Sequence, residues 1–309
     1  MNSKNSTPVT NFVLTGLKVQ VDLQVVIFLC FLLLYIINLT ANLFILTITT
    51  CDASLQTPMY FFLRNLAFLD ICFSSVVVPK MLVDLVSQKK IISYYGCMLQ
   101  VLFFHFFGTT EVTLFSVMSY DRYVAIAHPL RYTAIMNTKA YVSLSSVSWI
   151  IGFSHASLHT IMTARLPFCG PNIVRHFFCD VKPLLALACT DVSLNSKLLL
   201  RVAGTLATTT LLLTILSYIF ISRFLFKIKT SQGRRRALST CSAHFAVVTL
   251  QYGTSIFTYA LPTRKDSLDQ DRAAAIIFTV ITPALNPIIY TLRNKDMKKA
   301  FKNLFKRSN

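Results

Sequence analysis

Charged residues in this chain are separated by long uncharged runs. Counting the residues between successive charges gives 29 from Asp22 to Asp52, 25 from Lys139 to Arg165, 21 from Arg201 to Arg223, 27 from Arg236 to Arg264 and 20 from Arg272 to Arg293. Each run is predominantly apolar, and about 20 helical residues cross a ~30 Å hydrocarbon core. Two further stretches carry only a few charges inside: Pro58–Pro79 with Arg64 and Asp70, and Ile91–Tyr120 with Glu111 alone. The pattern predicts seven spanning helices, roughly at residues 25–50, 58–80, 91–122, 140–163, 200–222, 237–261 and 273–292. Lipid offers no partner for an open backbone group, which favours helices. A membrane barrel would alternate in segments of about ten residues, and these runs do not.

Orientation follows from where the positive charge sits. The segment Arg223–Arg236 holds six Lys/Arg and no acid, and the tail from Arg293 holds seven basic residues against Asp296. The short loop Thr263–Arg272 on the other side balances three basic residues with Asp266, Asp269 and Asp271. The positive-inside bias then places the tail in the cytosol and the N-terminus outside. The expected organisation is an extracellular N-terminus at 1–24, a seven-transmembrane domain at 25–292 and a cytoplasmic amphipathic helix and tail at 293–309. In that tail Met297, Ala300, Phe301, Leu304 and Phe305 share a face, which suits a basic helix lying on anionic lipid. Residues 1–22 lack the apolar core of a cleavable signal, so the first helix is expected to direct insertion.

Composition agrees with this reading. Of 309 residues 54% are hydrophobic and 14% charged, against about 25% charged in ordinary soluble proteins. The net charge of +18 would point to nucleic acid in a soluble chain; here it clusters at two inner segments. Cys97, Cys169, Cys179 and Cys189 all fall on the outer side, three of them in a long outer loop at about 164–199. Four cysteines on the oxidising side imply disulfides, with three pairings open. Asn5-Ser6-Thr7 is a glycosylation sequon near the outer N-terminus, whereas Asn38-Leu39-Thr40 lies inside the first helix.

Ionisable groups inside a membrane are functional hypotheses by default. Asp70 lies about 18 Å and Glu111 about 16 Å above the inner end of their helices at 1.5 Å per residue. Two carboxyls at one depth would repel, which points to a shared Na⁺ or one carboxyl kept neutral; the alternative is two separately hydrogen-bonded carboxyls. Asp121-Arg122-Tyr123 closes the third helix at the inner face, with Asp121 expected to hold Arg122. Late in the seventh, Pro287 lacks the N–H of one backbone bond and bends the helix, and Asn286 and Tyr290 bring polar ends to that kink, a candidate moving part where the alternative is a kink that only packs.

A ligand pocket is expected in the outer half of the bundle. Phe104, His105, Gly108, Thr109 and Val112 share one face of span three, with Gly108 making room. Tyr252, Ile256 and Tyr259 share a face of span six, and Val202, Leu206, Ile276 and Thr279 would close the volume. Such a site is mostly apolar with a few hydrogen-bonding points, suited to small volatile, neutral or weakly polar ligands. No GxSxG, HExxH or phosphate loop is present, so no enzyme is expected. A transporter is the contrasting class, but the repeats of that architecture are missing.

Several stretches together resemble a known family. They are Leu55-Gln56-Thr57-Pro58-Met59-Tyr60-Phe61-Phe62-Leu63, then Met118-Ser119-Tyr120-Asp121-Arg122-Tyr123-Val124-Ala125-Ile126-Ala127-His128-Pro129-Leu130-Arg131-Tyr132, and Ser217-Tyr218. The series continues with Ala237-Leu238-Ser239-Thr240-Cys241-Ser242-Ala243-His244 and Pro283-Ala284-Leu285-Asn286-Pro287-Ile288-Ile289-Tyr290-Thr291-Leu292-Arg293-Asn294. Over essentially its whole length the chain resembles an olfactory receptor of the tetrapod type, within the class A G-protein-coupled receptors. It departs from the family at Ala41, where Gly is usual, and at Ala127, where Cys is usual. The resemblance implies Cys97–Cys179 and Cys169–Cys189 disulfides, an intramembrane cation at Asp70 and Glu111, and Arg122 meeting a G protein with Tyr218 and Tyr290 in support. It also implies a structural role for Trp149, an odorant ligand, coupling to a stimulatory or olfactory heterotrimeric G protein, and residence in the plasma membrane of olfactory cilia. A class A receptor for another small lipophilic ligand is the alternative.

Overall fold

The computed structural model describes residues 9–17, 19–227, 241, 242, 244–253, 268–293, 297, 299 and 300. The fold is an all-α membrane bundle of seven spans. Span one is Val21–Cys51, span two Pro58–Val86, span three Tyr94–Ala127 and span four Thr138–Ala164. Span five runs through Ser193–Leu198, a π-turn at Leu199–Ala203, and Gly204–Lys227. The described residues of span six are 241, 242 and 244–253. Span seven joins Leu268–Ile276, a second π-turn at Ile277–Ile281, and Thr282–Arg293. Asn5, Ile256, Tyr259 and most of the expected tail helix lie outside the described residues. Met297 and Ala300 are described, and both are buried against the inner core.

Five of these helices are long and apolar enough by themselves to cross a membrane. Span four is not among them because serines and histidines line it: Ser143, Ser145, Ser146, Ser148, His155 and His159. Span one is the opposite case, with only 6% of its most apolar window buried. Leu29, Leu33 and Ile36 are about half exposed, as a face turned to lipid requires.

Span three is the hub, packed against spans two, four and five. Its approach to span four depends on Gly152. A Cβ there would lie 2.0 Å from Thr110 Oγ1 and 2.9 Å from the Phe106 carbonyl oxygen. Near the inner end Asn65 ties two helices together: its Oδ1 accepts from Trp149 Nε1 at 3.0 Å and from Ser145 Oγ at 3.1 Å. Trp149 also packs against Phe68 and Phe106, the structural role expected of it.

Two outer features differ from the sequence reading. Residues 91–93, expected to begin span three, form strand β2 (Ile91–Ser93). The N-terminus forms β1 (Asn11–Leu14), which lies between β2 and β3 (Ile173–Val174). β1 pairs antiparallel with β2, Phe12 opposite Ile92, and parallel with β3, Leu14 opposite Val174. The alternation explains the pairing: Phe12 and Leu14 are buried, Asn11 and Val13 exposed. Ser93 caps span three by accepting from the Gly96 N–H, which stops the helix from starting earlier. Cys97–Cys179 and Cys169–Cys189 are disulfides, and with the sheet they form a roof over the outer end of the bundle.

Replacing Gly152 with Ala is expected to destabilise the protein by about 1–3 kcal/mol through overpacking. Gly204→Ala, where a Cβ meets nothing within 4 Å, should cause no loss. Thermal unfolding of the detergent-solubilised proteins compares the two, and equal midpoints would refute the close-packed seam.

Candidate functional site

The outer site is built on span three beneath the roof. His105 lies on the expected face, but its Nε2 is already engaged, 3.0 Å from Asp180 Oδ1 of the long outer loop. Asp180 also accepts from the Val181 N–H at 2.7 Å, and both residues are buried. Thr109 pairs with span four, its Oγ1 3.0 Å from His155 Nδ1. Three imidazoles therefore gather here, with ring centroids 5.7 Å apart for His105–His155, 6.0 Å for His105–His159 and 4.6 Å for His155–His159.

The apolar side of the site is aromatic. Phe104 packs against Phe73 at 5.2 Å, Phe178 at 4.8 Å and Phe278 at 6.0 Å between ring centroids. Gly108 does not open a space, contrary to expectation. A Cβ there would lie 3.3 Å from Phe73 and 3.8 Å from Phe278, so the glycine admits those rings. Val112 is half-buried against the inner core cluster, and Tyr252 is part of that cluster, its Oη 3.5 Å from the Val112 carbonyl oxygen. Val202 and Leu206 are half-buried on span five. Ile276 joins the Phe73–Phe104 cluster, whereas buried Thr279 donates within its own helix to the Ala275 carbonyl.

Asp180, His155, His159, Phe178 and Phe278 were not singled out from the sequence. The i, i+4 spacing of His155 and His159 was the visible signal, on a helix not read for ligand contacts.

In the roof, burial above all pushes His176 down to about 4, with Arg272 and Lys182 acting in the same direction and Asp180 against it. Burial alone would raise Asp180. The hydrogen bond from His105 and the charges of His105 and His176 outweigh it and hold the carboxyl below its usual range. Arg272 of span seven donates to Thr15 Oγ1 at 2.8 Å, fastening the N-terminal segment.

A second polar centre lies mid-membrane. Asn286 Nδ2 donates to Asp70 Oδ1 at 2.9 Å, and Gln251 Nε2 donates to Glu111 Oε2 at 3.0 Å. Both acids are 1% exposed. Asn38 donates to the Asp70 carbonyl, and Asn42 donates to Asn38 Oδ1. Glu111 Oε1, Asn42 Oδ1, Asn286 Oδ1 and Tyr290 Oη are buried with no hydrogen-bond partner among the described residues. All four are oxygens, the donor type a hard cation takes.

At the inner end Asp121 is buried and accepts from Tyr132 Oη at 2.7 Å. No ion pair joins it to Arg122 among the described residues, contrary to expectation. Tyr123 packs on Phe220 and Phe224 of span five. Tyr218 is held by span six, its Oη 2.7 Å from His244 Nδ1 and 3.3 Å from the Cys241 carbonyl. Pro287 lies inside span seven beside Asn286.

With this geometry in view, comparison with known proteins is decisive. A family model described as Olfactory receptor matches residues 30–308. The chain belongs to the olfactory receptor family. It is 51% identical over 304 residues to Olfactory receptor 12D1 of Homo sapiens, covering 98% of this chain and 95% of that one. It is 49% identical to Olfactory receptor 12D2 of Homo sapiens, covering 98% and 99%. Olfactory receptor 5G9 of Mus musculus is 45% identical, covering 97% and 96%.

The roof should weaken in acid. His176 has a folded pKa below its unfolded value, so the unfolded state binds more protons between about 6.5 and 4. Stability is thus complete above about 6.5 and falls as pH drops through that window, by about 2 kcal/mol at pH 5. Asp180 adds a loss in the same direction only below the usual carboxylate range. His176→Phe should flatten the dependence of the unfolding temperature between pH 7 and pH 5; an unchanged slope would reject this origin.

Proposed function

We propose that this family member is an odorant receptor of the plasma membrane, its N-terminus outside. It binds a small, neutral or weakly polar volatile molecule in the outer half of the bundle. Its membership of the olfactory receptor family carries the reading. The aromatic cluster of Phe104, Phe178 and Phe278 beside the histidines favours such a ligand, because it offers apolar area with few polar points. Asn5 is its proposed glycosylation site and cilia of olfactory neurons its proposed location.

The output we infer is activation of a stimulatory or olfactory heterotrimeric G protein and a rise in cAMP. Opening of the inner ends would release Tyr218 from His244 and leave it, with Tyr290, to support Arg122 against the G protein. Hinge motion at Pro287 would accompany this. Expression in cells with a cAMP reporter, challenged with a broad odorant panel, tests both claims. At least one member should raise cAMP in a dose-dependent way; a panel answered only by charged amines would overturn the ligand class. A transporter would give no cAMP signal.

We also infer a sodium ion between Asp70 and Glu111, held with the help of Asn42 and Asn286 oxygens. The buried unpartnered oxygens there support it. Such an ion would stabilise one packing of spans two, three and seven. Glu111→Gln should abolish or strongly reduce any sodium dependence of agonist potency. Identical dependence in the wild type and the variant would exclude a shared site.

A further inference from the structure

The histidines between spans three and four carry more than packing. His155 Nε2 and His159 Nε2 are both buried with no hydrogen-bond partner among the described residues. Buried polar atoms in a bundle are normally paired, because leaving one bare has a desolvation cost. Two on adjacent turns of one helix, beside the ligand face of span three, mark a place where a ligand atom belongs.

The proton on His155 can be assigned by elimination. Neighbouring hydroxyls of the bundle bond back to carbonyls of their own helix: Thr110 to Phe106, Thr113 to Thr109 and Ser119 to Phe115. Thr109 has no such bond, and its one side-chain partner among the described residues is His155 Nδ1. The hydroxyl therefore donates to Nδ1. A neutral imidazole that accepts at Nδ1 carries its hydrogen at Nε2. His155 thus presents an N–H donor with nothing to donate to.

We propose that His155, oriented by Thr109 and flanked by His159, is the hydrogen-bond donor that recognises a carbonyl-bearing odorant: an aldehyde, ketone or ester. This rests on the receptor reading above and deepens it by naming the ligand class. A carbonyl oxygen accepts without bringing a hydrogen of its own to place. A carboxylate would lie beside the buried Asp180, a like charge. An ammonium would find that carboxyl already committed to His105 and the Val181 N–H. The hydrocarbon end of the ligand would lie toward Phe104, which stands edge-on to His105 at 5.5 Å.

The test uses the full-length chain in reporter cells. The probes are aldehydes, ketones and methyl esters of four to ten carbons, with alkenes, carboxylic acids and amines of matched length. Carbonyl compounds should activate. Thr109→Val and His155→Phe should each raise the half-maximal concentration for them about tenfold, the loss of one net hydrogen bond. Any alkene response should move far less, and surface display, read by antibody to an N-terminal tag, should stay unchanged. Thr109→Val is close to isosteric and guards against misfolding of His155→Phe. The proposal is overturned if no carbonyl compound activates, or if both variants shift alkenes and carbonyls equally. Activation by other odorants would then leave the receptor reading standing, whereas silence to the broad panel as well would remove both.

Discussion

Polar groups within a hydrocarbon slab can find partners only inside the protein, and that constraint organises this bundle. Burial from water cannot draw helices together there, because lipid is as apolar as a leucine; close packing and interhelical hydrogen bonds must do so. The seams between spans are accordingly polar or very close. Asn65 gathers Trp149 and Ser145, Asn286 reaches Asp70, and Thr109 meets His155. Gly152 brings the backbones of spans three and four within reach of each other. Where a helix has none of these devices, as on the outer face of span one, it simply faces lipid.

The same constraint explains where the chemistry sits. The outer site, the mid-membrane acids and the inner Tyr218–His244 contact are the places where polar groups are clustered beyond what packing needs. Above the outer site, the roof keeps the long loop in place by three separate means: disulfides, a strand pairing and the His105–Asp180 bond. A carboxylate buried so near the hydrocarbon is tolerable because several donors and imidazoles compensate it. The roof therefore both shapes the outer site and depends on a span-three side chain beneath it.

Much of this was legible in the residue order. Charge gaps locate the spans because a charge is costly in the slab, and the acids Asp70 and Glu111 stand out for the same reason. The sequence could not reveal partners that lie far apart in the chain. Nothing local to Tyr132 announces that it, and not Arg122, bonds Asp121, and nothing near His105 points to Asp180, 75 residues on. Gly108 misled because a missing side chain is equally consistent with an opening and with an incoming ring; only the position of Phe73 decides between them. The alternation of Phe12 and Leu14 was a visible strand signal, but four residues are too short to outweigh a terminal position usually taken as unstructured.

Signal transfer across the membrane must use whatever in the bundle is free to move. Span three is poorly suited to move as a whole. Cys97 is tied to the roof, Gln100 donates to the Val76 carbonyl of span two, Gly152 locks the middle to span four, and Asp121 is bonded to Tyr132 below. From Cys97 to Asp121 it is a strut of about 36 Å at 1.5 Å per residue. Spans five and six meet it through side-chain hydrogen bonds and ring contacts. Among them are Gln251 on Glu111 and the His244 ring against Phe115, while the Tyr218–His244 bond ties spans five and six to each other. Hydrogen bonds of this kind are each worth about 1 kcal/mol net, small enough for a ligand's differential affinity to outweigh. A ligand held against the outer half of span three would thus act by shifting spans five and six relative to a fixed post. The mid-membrane Glu111–Gln251 bond, lying between the two ends, is one of the contacts such a shift would strain.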